Sequence, residues 1–232
     1  MSQSECVFCC SSKIESFFVK ETGYFMCADC GGRFMNPESR LPPEKQKERY
    51  LKHNNTISNE GYVDFLESFI NPVLSYIDSS DVKSCSLKSI LDYGSGPEPV
   101  LTEILETYKH SGRLDETCEI RGWDPFFSPY VNVFEGGADL VTCLEVAEHF
   151  ETPQEDFAKL SSCVKDGGFV AIGTMLLPSG GIDVFKKWWY RSDATHTSFY
   201  TEHALRQVAA KNNLTWITSL NDRTFLFKKQ KN

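Results

Sequence analysis

Four cysteines near the start of the chain have the spacing of metal ligands. Cys6, Cys9, Cys27 and Cys30 form C-x2-C, a gap of 17 residues and a second C-x2-C. Each pair can sit on one tight knuckle, so four thiolates can converge tetrahedrally on Zn2+. Four sulfur ligands leave no open position for water, which makes the expected ion structural. A second chemistry-bearing stretch is SILDYGSGPEPV at 89–100. A short apolar run, Ile90 and Leu91, leads into Asp92, a glycine turn of Gly94, Ser95 and Gly96, and a helix start. Open α/β sheets form a ligand crevice in this way. Glycine has no Cβ and takes positive φ readily, so the chain can turn sharply and let a ligand lie against its backbone.

The residues after the turn choose among cofactors. Pro97 and Pro99 remove two N–H donors, Glu98 would repel a phosphate, and the third glycine of a dinucleotide fingerprint is missing. A pyrophosphate is poorly served, which disfavours an NAD-dependent oxidoreductase. A cofactor with an amino-acid end and a nucleoside end, S-adenosylmethionine, needs the glycine turn plus carboxylates for its ammonium group and ribose hydroxyls. Asp92 and Asp124 are placed to supply them.

LDYGSG at 91–96, GWDP at 122–125 and ADLVTCLEVAEHF at 138–150 resemble, in order, the motifs of class I S-adenosylmethionine-dependent methyltransferases. The likeness is to the broad group that contains the ubiquinone-biosynthesis O-methyltransferases, and it covers roughly residues 60–228. It implies a Rossmann-like α/β sheet with helices on both faces and an antiparallel last strand. It places Asp92, Gly94, Ser95, Gly96, Asp124, Pro125, Leu144 and Glu145 at the cofactor, with Asp124 accepting both ribose hydroxyls. A carboxylate has two acceptor oxygens, which suits a vicinal diol; a turn aspartate before Pro125 is the alternative. His149 would emerge beside the acceptor, where a neutral imidazole could take a proton; a capping or buried structural histidine is equally compatible with the sequence. These enzymes usually build the acceptor pocket in the segment corresponding to 178–200. Trp188, Trp189, Tyr190, Phe199 and Tyr200 would be its flat walls, Asp193 a polar partner and His196 a second candidate base, unless His196 simply bonds Asp193. One departure stands out: thirteen residues separate Asp124 from Ala138, too few for a helix, a strand and two loops. The third strand is expected to be shortened or lost, and Phe126 and Phe127 are either adenine-stacking or core residues.

The remaining elements follow from pattern. FFVKETGYFM reads as a β-hairpin turning at Thr22-Gly23, the build of a zinc ribbon; about 40 residues bury too little apolar surface alone, so metal binding would supply the deficit. Cys10 is left as a free thiol. Prolines 37–43 punctuate a linker. Helical patterning then runs over 44–53 and over 61–77 until Pro72 interrupts it. The resemblance makes these helices a lid, with Tyr50, His53 and Asn55 either facing the site or solvated. Helices are expected at 100–108, 153–164 and 202–213, and strands at 118–124, 140–144 and 169–177. LTWITSL and RTFLFKK close the sheet as an antiparallel hairpin around Asn221-Asp222.

The expected division is a zinc-ribbon-like module at 1–40, a helical linker and lid at 41–86, and an S-adenosylmethionine-binding domain at 87–232. The formal charge of −8 lies entirely outside residues 1–50, which hold seven residues of each sign. An acidic body disfavours broad contact with nucleic acid. There is no apolar run of membrane-spanning length and no signal-peptide core, and nine cysteines without such a core argue against disulfides; a cytoplasmic location is expected. The sequence points to methyl transfer to a small-molecule acceptor at oxygen or nitrogen. Two alternatives are an RNA or protein methyltransferase that docks substrate through the ribbon, and a non-catalytic S-adenosylmethionine-binding scaffold. Oligomeric state is not encoded in any of these signals.

Overall fold

The computed structural model describes residues 3–52, 55–79, 87–129 and 133–231; His53 lies outside them. In chain order the elements are β1 (Ile14–Val19), β2 (Thr22–Cys27), β3 (Arg33–Met35), α1 (Pro43–Tyr50), α2 (Glu60–Ile77), β4 (Ser89–Tyr93), α3 (Val100–His110), β5 (Glu119–Trp123) and β6 (Ala138–Leu144). They continue with α4 (Pro153–Ser162), β7 (Val164–Gly173), α5 (Ile182–Lys187), β8 (Ser198–Phe199), α6 (Glu202–Lys211), β9 (Leu214–Asn221) and β10 (Thr224–Lys229).

Six strands form the central sheet in the order β5-β4-β6-β7-β10-β9. β5, β4, β6 and β7 are parallel, and β10 runs antiparallel to both β7 and β9. Alternation along the strands divides the core into two faces. Leu91, Val141, Cys143, Val170, Ile172, Phe225 and Phe227 meet α4 and α6 on one face. Ile90, Leu140, Phe169, Ala171 and Leu226 meet α2 and α3 on the other. This is the Rossmann-like sheet covered on both faces, with the reversed last strand. No strand lies between β5 and β6 among the described residues, as the thirteen-residue interval requires.

Three expectations need correction. First, α2 does not stop at Pro72 but runs through it to Ile77. Its apolar stripe, Leu66, Phe69, Ile70, Val73, Leu74 and Ile77, contributes on the order of 10 kcal/mol of transfer free energy. The Ser68 carbonyl, which loses its helical partner at Pro72, accepts instead from the Asn221 side-chain amide at 3.5 Å. Second, the β1–β2 turn is Lys20-Glu21 rather than Thr22-Gly23, with Lys20 at φ +56°. Gly23 lies in β2, where a Cβ would stand 3.3 Å from that of Asn36. Third, β7 begins at Val164, before the Gly167-Gly168 pair.

The N-terminal hairpin does not stand apart from the sheet's layers. β8 extends its sheet to the order β1-β2-β3-β8, the Met35 N–H donates to the Thr197 carbonyl at 2.7 Å, and the Phe8 ring packs on Tyr200 at 4.9 Å. Among the described residues no helix is long and apolar enough to cross a membrane.

Candidate functional site

The glycine turn is pinned to the end of β5. The N–H groups of Gly94 and Ser95 donate to the Trp123 carbonyl at 2.7 and 3.1 Å. Gly94 has φ +86° and a Cβ there would come within 2.3 Å of Val146, so only glycine fits. Gly96, at φ +72°, has nothing within 4 Å of where a Cβ would stand, which leaves backbone open to a ligand. The turn borders a cavity of about 670 Å³. Gly94, Ser95, Gly96, Asp124, Pro125, Leu144, Glu145, His149 and His196 all line it, as do Phe126, Phe127, Tyr50 and Asn55.

Asp124 organises the floor. Oδ2 accepts from the Gly96 N–H at 3.0 Å, and Oδ1 accepts from the N–H groups of Phe126 and Phe127 at 2.8 and 3.1 Å. It is thus a turn aspartate, yet Oδ2 keeps a lone pair for a ligand hydroxyl. Asp92 does not line the cavity. It sits inside β4, opposite Gly122 and Thr142, and accepts from the Thr142 hydroxyl at 3.0 Å. Burial pushes its carboxyl up to about 7.

The far end of the cavity is a polar cluster. Glu145 follows β6 at φ +51°, uncommon for a residue with a side chain. Burial, and then the neighbouring Glu148, push its carboxyl up to about 8. Glu148 is fully buried and, by burial, raised to about 7. Its oxygens accept from the hydroxyls of Tyr190 at 2.5 Å and Thr174 at 2.9 Å. His149 donates from Nδ1 to the Thr195 carbonyl at 3.0 Å, and burial holds it below the usual histidine range. It is therefore a neutral imidazole with its lone pair on Nε2. His196 donates from Nδ1 to the Tyr190 carbonyl at 2.8 Å, and the two rings meet at 4.8 Å. The Glu148 carboxylate and both imidazoles bring polar atoms within 4.8 Å of one another.

Most of the expected acceptor walls fall elsewhere. Trp188, Tyr190, Asp193, Phe199 and Tyr200 do not line the cavity. Trp188 packs with Phe185 and Phe199. Tyr190 is buried as the link between Glu148 and His196. Tyr200 is buried with its hydroxyl on the Ala147 carbonyl at 2.8 Å. Asp193 pairs with Arg49 at 2.8 Å and accepts from the Thr195 hydroxyl at 2.6 Å; its carbonyl accepts from the His196 backbone N–H at 3.2 Å, so their local bond is made by the main chain while the His196 ring goes to Tyr190. The wall is made by Trp189, which was expected there, and by Tyr62, Phe65 and Arg223, which were not. Arg223 arrives through the β9–β10 turn and left no motif.

The four cysteines converge. Sγ of Cys6 lies 3.6 Å from that of Cys30, and Sγ of Cys9 lies 3.6 Å from that of Cys27; all four lie within 4.8 Å of one another. Thiolates sharing a tetrahedral Zn2+ at about 2.3 Å stand about 3.8 Å apart, so the donor set and its geometry fit that ion. The hydrogen bond from Cys30 pulls the Cys6 thiol down to about 5, and the Phe8 N–H points at its sulfur at 3.4 Å.

A family model described as a methyltransferase domain matches residues 41–219. The chain belongs to that family. No curated protein matches the chain. Among solved structures it is similar to an O-methyltransferase family 2 protein from Planctomyces limnophilus in complex with apigenin, at 16% identity and a TM-score of 0.49, over 82% of this chain and 62% of that one. It is also similar to the 1,6-didemethyltoxoflavin-N1-methyltransferase of Burkholderia thailandensis, with 1,6-didemethyltoxoflavin and S-adenosylhomocysteine bound. That match has 12% identity and a TM-score of 0.46 and covers 94% of this chain and all of that one (100%). The N-methyltransferase NodS of Bradyrhizobium japonicum, with S-adenosyl-L-homocysteine bound, matches at 13% identity and a TM-score of 0.46, over 81% of this chain and 98% of that one. The chain thus spans under two thirds of the first of these relatives.

Proposed function

We propose that the protein transfers a methyl group from S-adenosylmethionine to a small-molecule acceptor, at oxygen or nitrogen. The observation that carries this reading is the glycine turn, whose uncovered Gly96 and adjoining Asp124 open onto one cavity with a neutral His149 at its other end. Gly94, Ser95, Gly96, Asp124, Pro125 and Leu144 would hold the cofactor, with Asp92 supporting the turn from within β4. When bound, S-adenosylmethionine supplies a strongly electrophilic sulfonium methyl group, so most of the chain's work is placement. Nε2 of His149 receives the proton that the acceptor gives up, and the aromatic walls exclude water. His196 orients that end of the cavity through its bond to the Tyr190 carbonyl.

Titration calorimetry with S-adenosylmethionine, followed by transfer of its labelled methyl group into a cell extract, tests the reading. Binding and a labelled small molecule are expected; neither heat nor label would sink it. His149→Ala should lower turnover at least tenfold and leave cofactor affinity unchanged. The cysteine cluster is read as a structural Zn2+ site, with one ion per chain expected on release to a metal-sensitive dye.

A further inference from the structure

The far end of the cavity narrows the acceptor's chemistry, given the methyl-transfer reading above. Two lone-pair-bearing atoms there can take a ligand's donor. Nε2 of His149 is one, because Nδ1 spends its hydrogen on Thr195. Oε1 of Glu145 is the other: it is buried with no hydrogen-bond partner among the described residues, while Oε2 lies 3.3 Å from the Tyr190 hydroxyl. Both residues line the cavity. They belong to one cluster, since that same hydroxyl also reaches Glu148, whose carboxylate lies within 4.8 Å of the His149 ring nitrogen. A buried oxygen left without a donor costs free energy until a ligand supplies one. The left-handed backbone of Glu145 marks strain held at this point.

Charge selects the kind of donor. Burial weakens the charge of Glu145 and Glu148, but the other acidic lining residues, Glu98, Asp124, Glu151 and Asp156, outnumber the two cations, Lys159 and Arg223, so the cavity disfavours anionic acceptors and draws cationic ones. A lone hydroxyl brings one hydrogen and could satisfy only one of the two atoms. An ammonium group brings three and satisfies both.

We propose that the acceptor is a primary amine, entering as its ammonium form, with its nitrogen held between Oε1 of Glu145 and Nε2 of His149. Glu145 then belongs to the acceptor rather than to the cofactor. One N–H proton passes to Nε2, which frees the nitrogen lone pair. The N–C bond forms as the sulfonium S–CH3 bond breaks, leaving a neutral thioether and a methylammonium, and His149 returns its proton to solvent.

The protein is incubated with S-adenosylmethionine carrying a 13C methyl group and the small-molecule extract of its source cells, and the chemical shift of the new methyl carbon is read. An N-methyl signal is expected. An O-, S- or C-methyl product overturns the amine while leaving methyl transfer intact; no labelled product at all overturns the methyl-transfer reading and the amine with it. With the purified amine, Glu145→Gln should raise the acceptor KM at least tenfold and keep the S-adenosylmethionine Kd within twofold, which also reports an intact fold. A shifted cofactor Kd with unchanged acceptor KM would return Glu145 to the cofactor and overturn the assignment.

Discussion

Asp124 accepts three backbone hydrogen bonds on one carboxylate, which is the turn role, and the proposed ribose role would fall on the same group. Because it shapes the turn, Asp124→Ala should act on cofactor binding and on stability together. Each hydrogen bond to a charged group is worth about 1.5–3 kcal/mol, so calorimetry should show affinity reduced at least tenfold, with a lower melting temperature. Asp92 makes a different prediction. Its folded pKa is raised from 3.8 to about 7 by burial, so the native state keeps a proton that the unfolded chain releases. The cost of ionising it grows as pH rises through that window and is fully present above it. Urea unfolding of Asp92→Asn should show a gain over wild type at pH 8, with an upper limit on the order of 4 kcal/mol, and none at pH 3. The glycines and strand-end carboxylates were legible in sequence because local sterics and charge fix their use. The wall was legible only at Trp189, since Tyr62 and Phe65 come from α2 and Arg223 from the β9–β10 turn, far from the rest of the site in sequence.

At the scale of elements, alternation made the strands readable, and the closing hairpin falls around the predicted Asn221-Asp222. Pro72 misled because its cost is met from far along the chain. Asn221 supplies the donor that the Ser68 carbonyl lacks, a contact 153 residues away that no local window contains. Asn221→Ala should destabilise by about 0.5 kcal/mol, the low end for a hydrogen bond near solvent. In a Pro72→Ala background, where the helix supplies its own N–H, the same change should be nearly silent; a double-mutant cycle by denaturant unfolding reads the difference. The Thr22-Gly23 signal misled for another reason. That glycine serves a close approach to Asn36 rather than a turn.

For the whole molecule, the cysteine hairpin and the acceptor end of the cavity are one construction. The Cys30 carbonyl accepts from the Thr201 hydroxyl at 2.6 Å, Thr201 caps α6, and β3 pairs with β8 two residues after His196. Composition and spacing could suggest a separate module, but not that strand pairing would join it to residues 198–199. Stripping the proposed Zn2+ with a chelator should therefore lower the melting temperature in a single transition seen alike by calorimetry and by tryptophan fluorescence. An early, separate melting of the N-terminal region would contradict that linkage.

With no strand described after it, β5 is an edge of the central sheet. Glu119 and Arg121 are joined on it at 3.0 Å, and the Phe134 ring lies over the Arg121 guanidinium at 4.2 Å. A charged pair on an edge strand discourages the flank-to-flank pairing of two molecules.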